Sequence, residues 1–187
     1  MGVLEGQETF AREEGFLDGC RKDGQTVTAD WTPLMDLLHG VSVREVRNVP
    51  KRDGLLTEVF RREWAGAAAH VDQVFQVRLE PGGISAWHTH RHTTDRLFVT
   101  AGLMRIVLYD ARSVSPTHGR LNELRFGLTR PALVVIPPGV WHGLENLSSS
   151  PSIVLNLVDR AYDYEDPDHW RLPFDTDRIP FRFARGK

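Results

Sequence analysis

Residues 81–102 read PGGISAWHTHRHTTDRLFVTAG. Pro81-Gly82-Gly83 breaks one extended run and starts another, because proline fixes φ and glycine supplies the conformations a tight turn needs. In the strand that follows, His88 and His90 point to one face, since side chains alternate with a period of two. Two imidazoles side by side need a use: a metal, a substrate anion or water. His92 shares their parity, at the point where a turn is expected. Asp95 and Arg96 open the next apolar run, which ends at Gly102.

The rest of the chain extends this pattern. Short β-rich runs recur about every ten residues from Val41 onward: VSVREV, LLTEVF, VDQVFQVRLE, RLFVTAG, LMRIVLYD, ALVVIPPG and SIVLNLV. In the third run Val71, Phe75, Val77 and Leu79 share one parity and polar residues the other, which predicts a half-buried strand. LMRIVLYD is apolar on both parities and predicts a strand covered on both faces. Seven or more such strands with Pro/Gly punctuation predict an all-β sandwich or barrel. A short helix is expected over residues 32–40, with Thr32 as N-cap, Pro33 at the first position and Gly40 as stop. Residues 1–29 are polar and glycine-rich and predict an irregular extension. Residues 161–187 predict an ordered wrap over the domain. The division expected is therefore an N-terminal extension, 1–40, and a β domain, 41–187.

Composition sets the outer limits. The 187 residues are 41% hydrophobic and 26% charged, enough for one domain with a real core. A net charge of −2 lacks the basic excess of a nucleic-acid binder. No apolar run approaches the ~18–20 residues of a membrane span, and the opening MGVLEGQETF has no apolar signal region. A single cysteine, Cys20, excludes an internal disulfide framework and a multi-cysteine zinc site. A cytoplasmic protein with a small-molecule partner is the expectation.

Gly82, His88, His90, Asp95 and Gly102 follow the spacing of the first motif of the cupin superfamily, with aspartate where glutamate is usual. Pro137, Gly139, His142 and Asn146 follow the second, with Pro131 at its leading glycine. The chain thus resembles a cupin, which implies a jelly roll (a double-stranded β-helix) with its site inside. His88, His90, Asp95 and His142 would then suit a divalent metal (Fe, Mn, Ni or Zn). Asp95 is one methylene shorter than glutamate, and pairing with Arg96 is its alternative role.

A narrower resemblance is to the RmlC-like, dTDP-4-dehydrorhamnose 3,5-epimerase family. KRDGLLTEVF at 51–60 is similar to that family's D-R-G-x-F-x-E-x-F, with Glu58 and Phe60 in place. Gln73 fits a family glutamine, and GGISAWHTH puts His88 at the catalytic base. TDRLFVTAGLMRIVLYDARSVSPTHG is the closest block, with Arg96 at the family lysine and Asp110, Arg112, Ser115, Pro116, Thr117 and Gly119 aligned. IPPGVWHGLENLS resembles I-P-x-G-F-A-H-G-F-x-V-L-S. The resemblance implies proton removal beside a ketone of a nucleotide sugar by a histidine that an aspartate orients, here Asp175 or its rival Asp177. Basic groups such as Arg96 stabilise the enolate, Glu58, Gln73, His142 and Asn156 are substrate-binding, and no cofactor is required. The family tyrosine that returns the proton falls on Asn156, with Tyr162 and Tyr164 as alternative acids, and the arginine before the base falls on Ser85. Single epimerisation or ketoisomerisation also begins with this proton removal, and His88 with His90 suits such shuttling. Trp87 and Trp141 face away from the site, and His39, His70 and His169 are surface residues on this reading.

Three functions follow: a sugar-nucleotide epimerase or isomerase, a metal-dependent cupin acting on another small molecule, and a non-catalytic sugar-binding cupin. A homodimer is expected because the family resembled pairs through its sheets and open sheet edges invite pairing.

Overall fold

The computed structural model describes residues 16–183, apart from residues 18 and 65–69. The N-terminal part of the leader therefore lies outside the described residues. Contacts divide the chain after Asp36, and the compact body runs from Leu37 to the C-terminus. Among the described residues it holds twelve strands: β1 Ser42–Glu45, β2 Asn48–Lys51, β3 Gly54–Thr57, β4 Gln73–Leu79, β5 Ile84–Thr89, β6 Asp95–Ala101, β7 Leu103–Asp110, β8 Leu121–Gly127, β9 Ala132–Ile136, β10 Val140–Asn146, β11 Ser152–Val158 and β12 Trp170–Arg171. Two five-stranded sheets, ordered β1-β9-β6-β11-β4 and β12-β5-β10-β7-β8, form the jelly roll, and β2-β3 is a separate hairpin. Every pairing is antiparallel. Among the described residues no helix is long and apolar enough to cross a membrane.

The period of two sorts the side chains. On β7, Met104, Ile106 and Leu108 turn one way and Val107 the other, and all four are buried. Val107 belongs to an outer cluster with Trp87, Ile179 and Phe183, against which Trp141, Leu172 and Phe174 also pack. The closing segment is thus a wrap over the outer face of the second sheet, which is why β7 is apolar on both parities. Trp87 and Trp141 face outward from the histidines, as their parity predicts. At Gly143 the β5–β10 register shifts. A Cβ there would lie 2.6 Å from Ala86 Cβ and 2.8 Å from Phe183 Cζ, so the wrap seats only on glycine.

The helix expected over residues 32–40 is absent. Residues 26–34 instead form a small antiparallel turn, with Val27 bridged to Pro33 and Leu34 N–H bonded to Thr26 O at 2.9 Å. Farther on, the Leu38 N–H is taken by Asn122 Oδ1 and the His39 N–H by Thr117 Oγ1, both at 2.9 Å. Side-chain acceptors of the β domain therefore replace the internal bonds of two helical turns too short to stand alone. β8, LNELRFG, was not among the expected runs. It reads as a strand only through its pairing with β7.

The DARSVSPTHG block is a polar knot at the end of β7. Buried Asp110 accepts bonds from Arg112 Nε (2.8 Å), Arg112 Nη2 (2.8 Å), Ser115 Oγ (2.5 Å) and Thr117 Oγ1 (2.6 Å). Burial alone would raise its pKa, but these donors hold it far below the carboxylate range. Arg112 Nη2 also reaches His39 O at 2.6 Å, tying the strand end to the incoming chain. Replacing Asp110 with alanine leaves buried donors and a guanidinium unmatched, and should cost about 3 kcal/mol in urea unfolding with an unchanged m-value.

Candidate functional site

The interior of the jelly roll holds a bank of histidines from one sheet. His88 on β5 lies directly opposite His142 on β10, and their ring centroids are 4.0 Å apart. His90, just past β5, stands 5.9 Å from His88 and 5.8 Å from His142. His169, beside β12, completes the group at 5.1 Å from His88 and 5.0 Å from His90. β12 pairs with β5, with Arg171 opposite His88 and Trp170 opposite Thr89. The strand pairing thus returns the closing segment to the site.

The other sheet supplies one carboxylate. Asp95 begins β6 with its side chain turned inward and 2% exposed. Its Oδ2 lies 3.3 Å from His90 Nε2 and 3.4 Å from His142 Nε2, while Asn156 Nδ2 donates to Oδ1 at 2.6 Å. The partners of the other ring nitrogens assign the tautomers. His90 Nδ1 contacts the carbonyl of Asp168, and His142 Nδ1 donates to Val140 O at 3.1 Å. Both Nε2 lone pairs therefore converge on a carboxylate oxygen, an arrangement that calls for a positive charge between them: a shared proton or a cation. Nitrogens of His88, His90 and His142 lie within 4.8 Å of one another, as three ligands of one ion require, and Asp95 reaches two of the three.

Burial keeps three of these rings neutral. Desolvation pushes His88 well below the ordinary histidine pKa, reinforced by the neighbouring histidines and Arg171. His142 is also lowered by burial, against the pull of Asp95. His169 falls to about 4 through burial and the nearby Arg171. His88 Nδ1 and His169 Nε2 are buried without a hydrogen-bond partner. A neutral imidazole with an open lone pair is a base ready for a substrate proton.

A cavity of about 370 Å3 adjoins this bank, lined by Gln73, Phe75, His90, Asp95, Tyr162 and His169 among others. Gln73 Oε1 accepts the Tyr162 N–H at 2.9 Å and so anchors the cavity wall. Asp168 anchors the opposite rim. Its carboxylate accepts from the backbone N–H of Arg91 (2.8 Å), His92 (2.8 Å) and Thr93 (3.1 Å). Burial would raise its pKa, but these donors hold it at about 2.

Several expected site residues lie elsewhere. Arg96 turns to the opposite face of β6 from Asp95, where it is fully buried and donates to Leu157 O at 3.2 Å. Asp175 is exposed in the wrap that packs on Trp87, and Arg182 Nη1 takes its carbonyl at 2.5 Å. Because Trp87 and His88 face opposite ways, Asp175 is not brought to His88, and Asp177 is exposed beside Arg178. Glu58 binds Arg61 at 2.6 Å and lines a separate surface groove with Arg44 and Trp64. His169 corrects the sequence reading in the other direction. Alone before a two-residue strand, it carries no motif, and only the β12–β5 pairing reveals it.

No family model matches the chain. Two curated relatives do. A probable low-salt glycan biosynthesis epimerase of Haloferax volcanii, Agl13, is 34% identical over 142 residues, 75% of this chain and 91% of that one. The spore coat polysaccharide biosynthesis protein SpsL of Bacillus subtilis is 30% identical over 147 residues, 79% and 97% of the two chains. The dTDP sugar isomerase of Desulfovibrio desulfuricans G20 superposes with a TM-score of 0.74 at 28% identity, covering 80% of this chain and 94% of that one. The chain belongs to the dTDP-4-dehydrorhamnose 3,5-epimerase-like family of cupins. Solved dTDP-4-dehydrorhamnose 3,5-epimerases at 17–23% identity, with TM-scores of 0.65–0.69, share its fold.

Within this epimerase-like family the structure accounts for one departure. Asn156, at the tyrosine position, donates to Asp95 Oδ1 and accepts the Arg96 N–H at 3.1 Å. It holds a carboxylate in place and offers no proton at neutral pH. The depressed histidines also set a pH limit. Between pH 6.5 and about 4 the unfolded chain binds protons that folded His169 refuses, so stability falls as the pH falls through that window. His169→Gln should flatten the fall in urea midpoint between pH 7 and pH 4.5, and an unchanged slope would contradict the depressed pKa.

Proposed function

We propose that this chain is a sugar-nucleotide epimerase or isomerase that removes a proton alpha to a carbonyl, with His88 as base and no cofactor required. The observation that carries this reading is the His88 ring, half-buried and held neutral, with Nδ1 unpartnered, within contact distance of His142 and His169. Once His88 takes the proton, its charge sits in a group whose one carboxylate, Asp95, offsets it. All four imidazoles come from the β12-β5-β10 side of the roll. A proton taken there is readily returned to the face it left, as ketoisomerisation requires. Tyr162 in the cavity wall supplies a phenol for return from elsewhere, whereas Tyr164 is 86% exposed. The names of the relatives, epimerases and a dTDP sugar isomerase, support a nucleotide-sugar substrate.

A second reading rests on the convergence of lone pairs at Asp95. There His88, His90, His142 and Asp95 would hold a divalent metal, which would polarise the substrate carbonyl as a Lewis acid. The homodimer is likewise proposed. Val49, Leu55 and Leu56 on the β2–β3 hairpin and Val74 on edge strand β4 are exposed apolar side chains of the kind a partner covers.

His88→Gln should slow solvent-deuterium wash-in at the sugar by about 10²–10⁴-fold, read by NMR on thymidine-diphosphate keto sugars. Wild-type wash-in should survive exhaustive chelation. Loss of exchange that a divalent metal restores, together with metal that disappears in His90→Ala, would transfer the function to the second reading. Light scattering should give twice the chain mass, and Leu55→Asp/Leu56→Asp should halve it.

A further inference from the structure

Removal of a proton beside a carbonyl leaves an enolate, whose oxygen needs a hydrogen-bond donor already in place when the charge develops. Arg96, expected in that role, turns to the opposite face of β6 and donates to Leu157 O. Asn156 is committed to Asp95 and to the Arg96 N–H. The donor has to come from another part of the site.

Three imidazoles stand against His88, and they differ in what their nitrogens have left to offer. His142 is fully buried, with Nδ1 on Val140 O and Nε2 turned to Asp95. His90 lines the cavity, but its Nδ1 meets the Asp168 carbonyl and its Nε2 faces Asp95. His169 lines the same cavity, 5.1 Å from the His88 ring centre, and its buried Nε2 has no hydrogen-bond partner among the described residues. Of the three, it alone adjoins the base, borders the cavity and keeps a nitrogen uncommitted. The ring is also firmly held. Its backbone N–H donates to Pro167 O at 2.8 Å, the preceding Asp168 is fastened to the Arg91–Thr93 turn, and the following Trp170 pairs with Thr89 on β5. In a ketone the alpha carbon and the oxygen are two bonds apart, roughly 2.4 Å from standard C–C and C=O lengths. Two adjacent rings can therefore serve one keto group, one at the alpha proton and one at the oxygen. An imidazole N–H donates whether the ring is neutral or charged, so the second role needs no change of protonation.

We propose that His169 is a catalytic residue that donates its Nε2–H to the substrate carbonyl oxygen and stabilises the enolate formed when His88 removes the neighbouring proton. In that step the C–H electron pair becomes the C=C bond of the enolate and the carbonyl pair moves to oxygen. The proton passes to His88, and His169 keeps its own. This assignment rests on the reading of His88 as the base and gives the oxyanion its donor from the closing segment.

Solvent-deuterium exchange into thymidine-diphosphate keto sugars, followed by NMR, tests it on the full chain. His169→Leu should lower kcat about 10²–10³-fold with KM within about twofold of wild type, because a donor that acts on developing charge leaves ground-state binding little changed. His169→Gln, whose amide N–H stands near the position of Nε2, should recover at least about tenfold of that loss, whereas His169→Asn, which mimics Nδ1, should not. In His88→Gln, where the bound keto sugar is not consumed, the infrared carbonyl stretch of an isotope-labelled substrate should lie below its solution value. Adding His169→Leu should move it back toward that value. Circular dichroism confirms that each variant is folded. Exchange at the wild-type rate in His169→Leu, equal rates in the Gln and Asn variants, or a carbonyl stretch that the substitution does not move overturns the donor role and leaves His88 standing as the base. A wild-type protein that exchanges no keto sugar overturns both.

Discussion

Asp95 Oδ2 is the point where the two sheets meet chemically. It starts β6 in one sheet and lies 3.3 Å and 3.4 Å from histidines that belong to the other. A carboxylate this deeply buried is tolerated only with partners that offset its desolvation. Asn156 supplies one from within its own sheet, and a proton or cation between the carboxylate and the two Nε2 atoms would supply the rest across the interior. The inward face of each sheet is therefore constrained by the same oxygen: β6 and β11 must present Asp95 and Asn156 together, and β5 and β10 must present His88, His90 and His142. A methylene more or less at residue 95 changes where that oxygen stands between the sheets.

The outer surface of the histidine sheet obeys a complementary constraint. Two of the inward histidines follow an outward tryptophan, His88 after Trp87 and His142 after Trp141. Trp87 must be covered, and Ile179 and Phe183 of the closing segment cover it. The same segment adds β12 to the sheet edge, which brings His169 and Arg171 to the site. Asp168 then locks the turn at Arg91–Thr93 with three backbone hydrogen bonds. Packing of the outer face and composition of the inner site are thus set by one stretch of chain.

Burial gives this arrangement its chemical character. Four imidazoles crowded in a low-dielectric interior cannot all carry charge, and desolvation holds His88, His142 and His169 neutral. Neutral rings with open lone pairs serve a proton transfer, and their convergence on a carboxylate serves a cation equally well.

Local signals were enough for the architecture and for part of the site. Strand alternation, the Pro81-Gly82-Gly83 turn and the spacing of His88, His90, Asp95 and His142 identified a jelly roll with histidines on an inner face, because a period of two and a glycine turn are properties of neighbouring residues. The same local rules misread residues 32–40, where capping signals suggested a helix and side chains distant in sequence, Asn122 and Thr117, took the backbone donors instead. They also passed over β8, His169 and Arg171. Strand pairing decides which residues from distant segments share a face, so only the tertiary structure turned Arg96 away from Asp95, left Asp175 outside with the wrap, and carried His169 in beside His88.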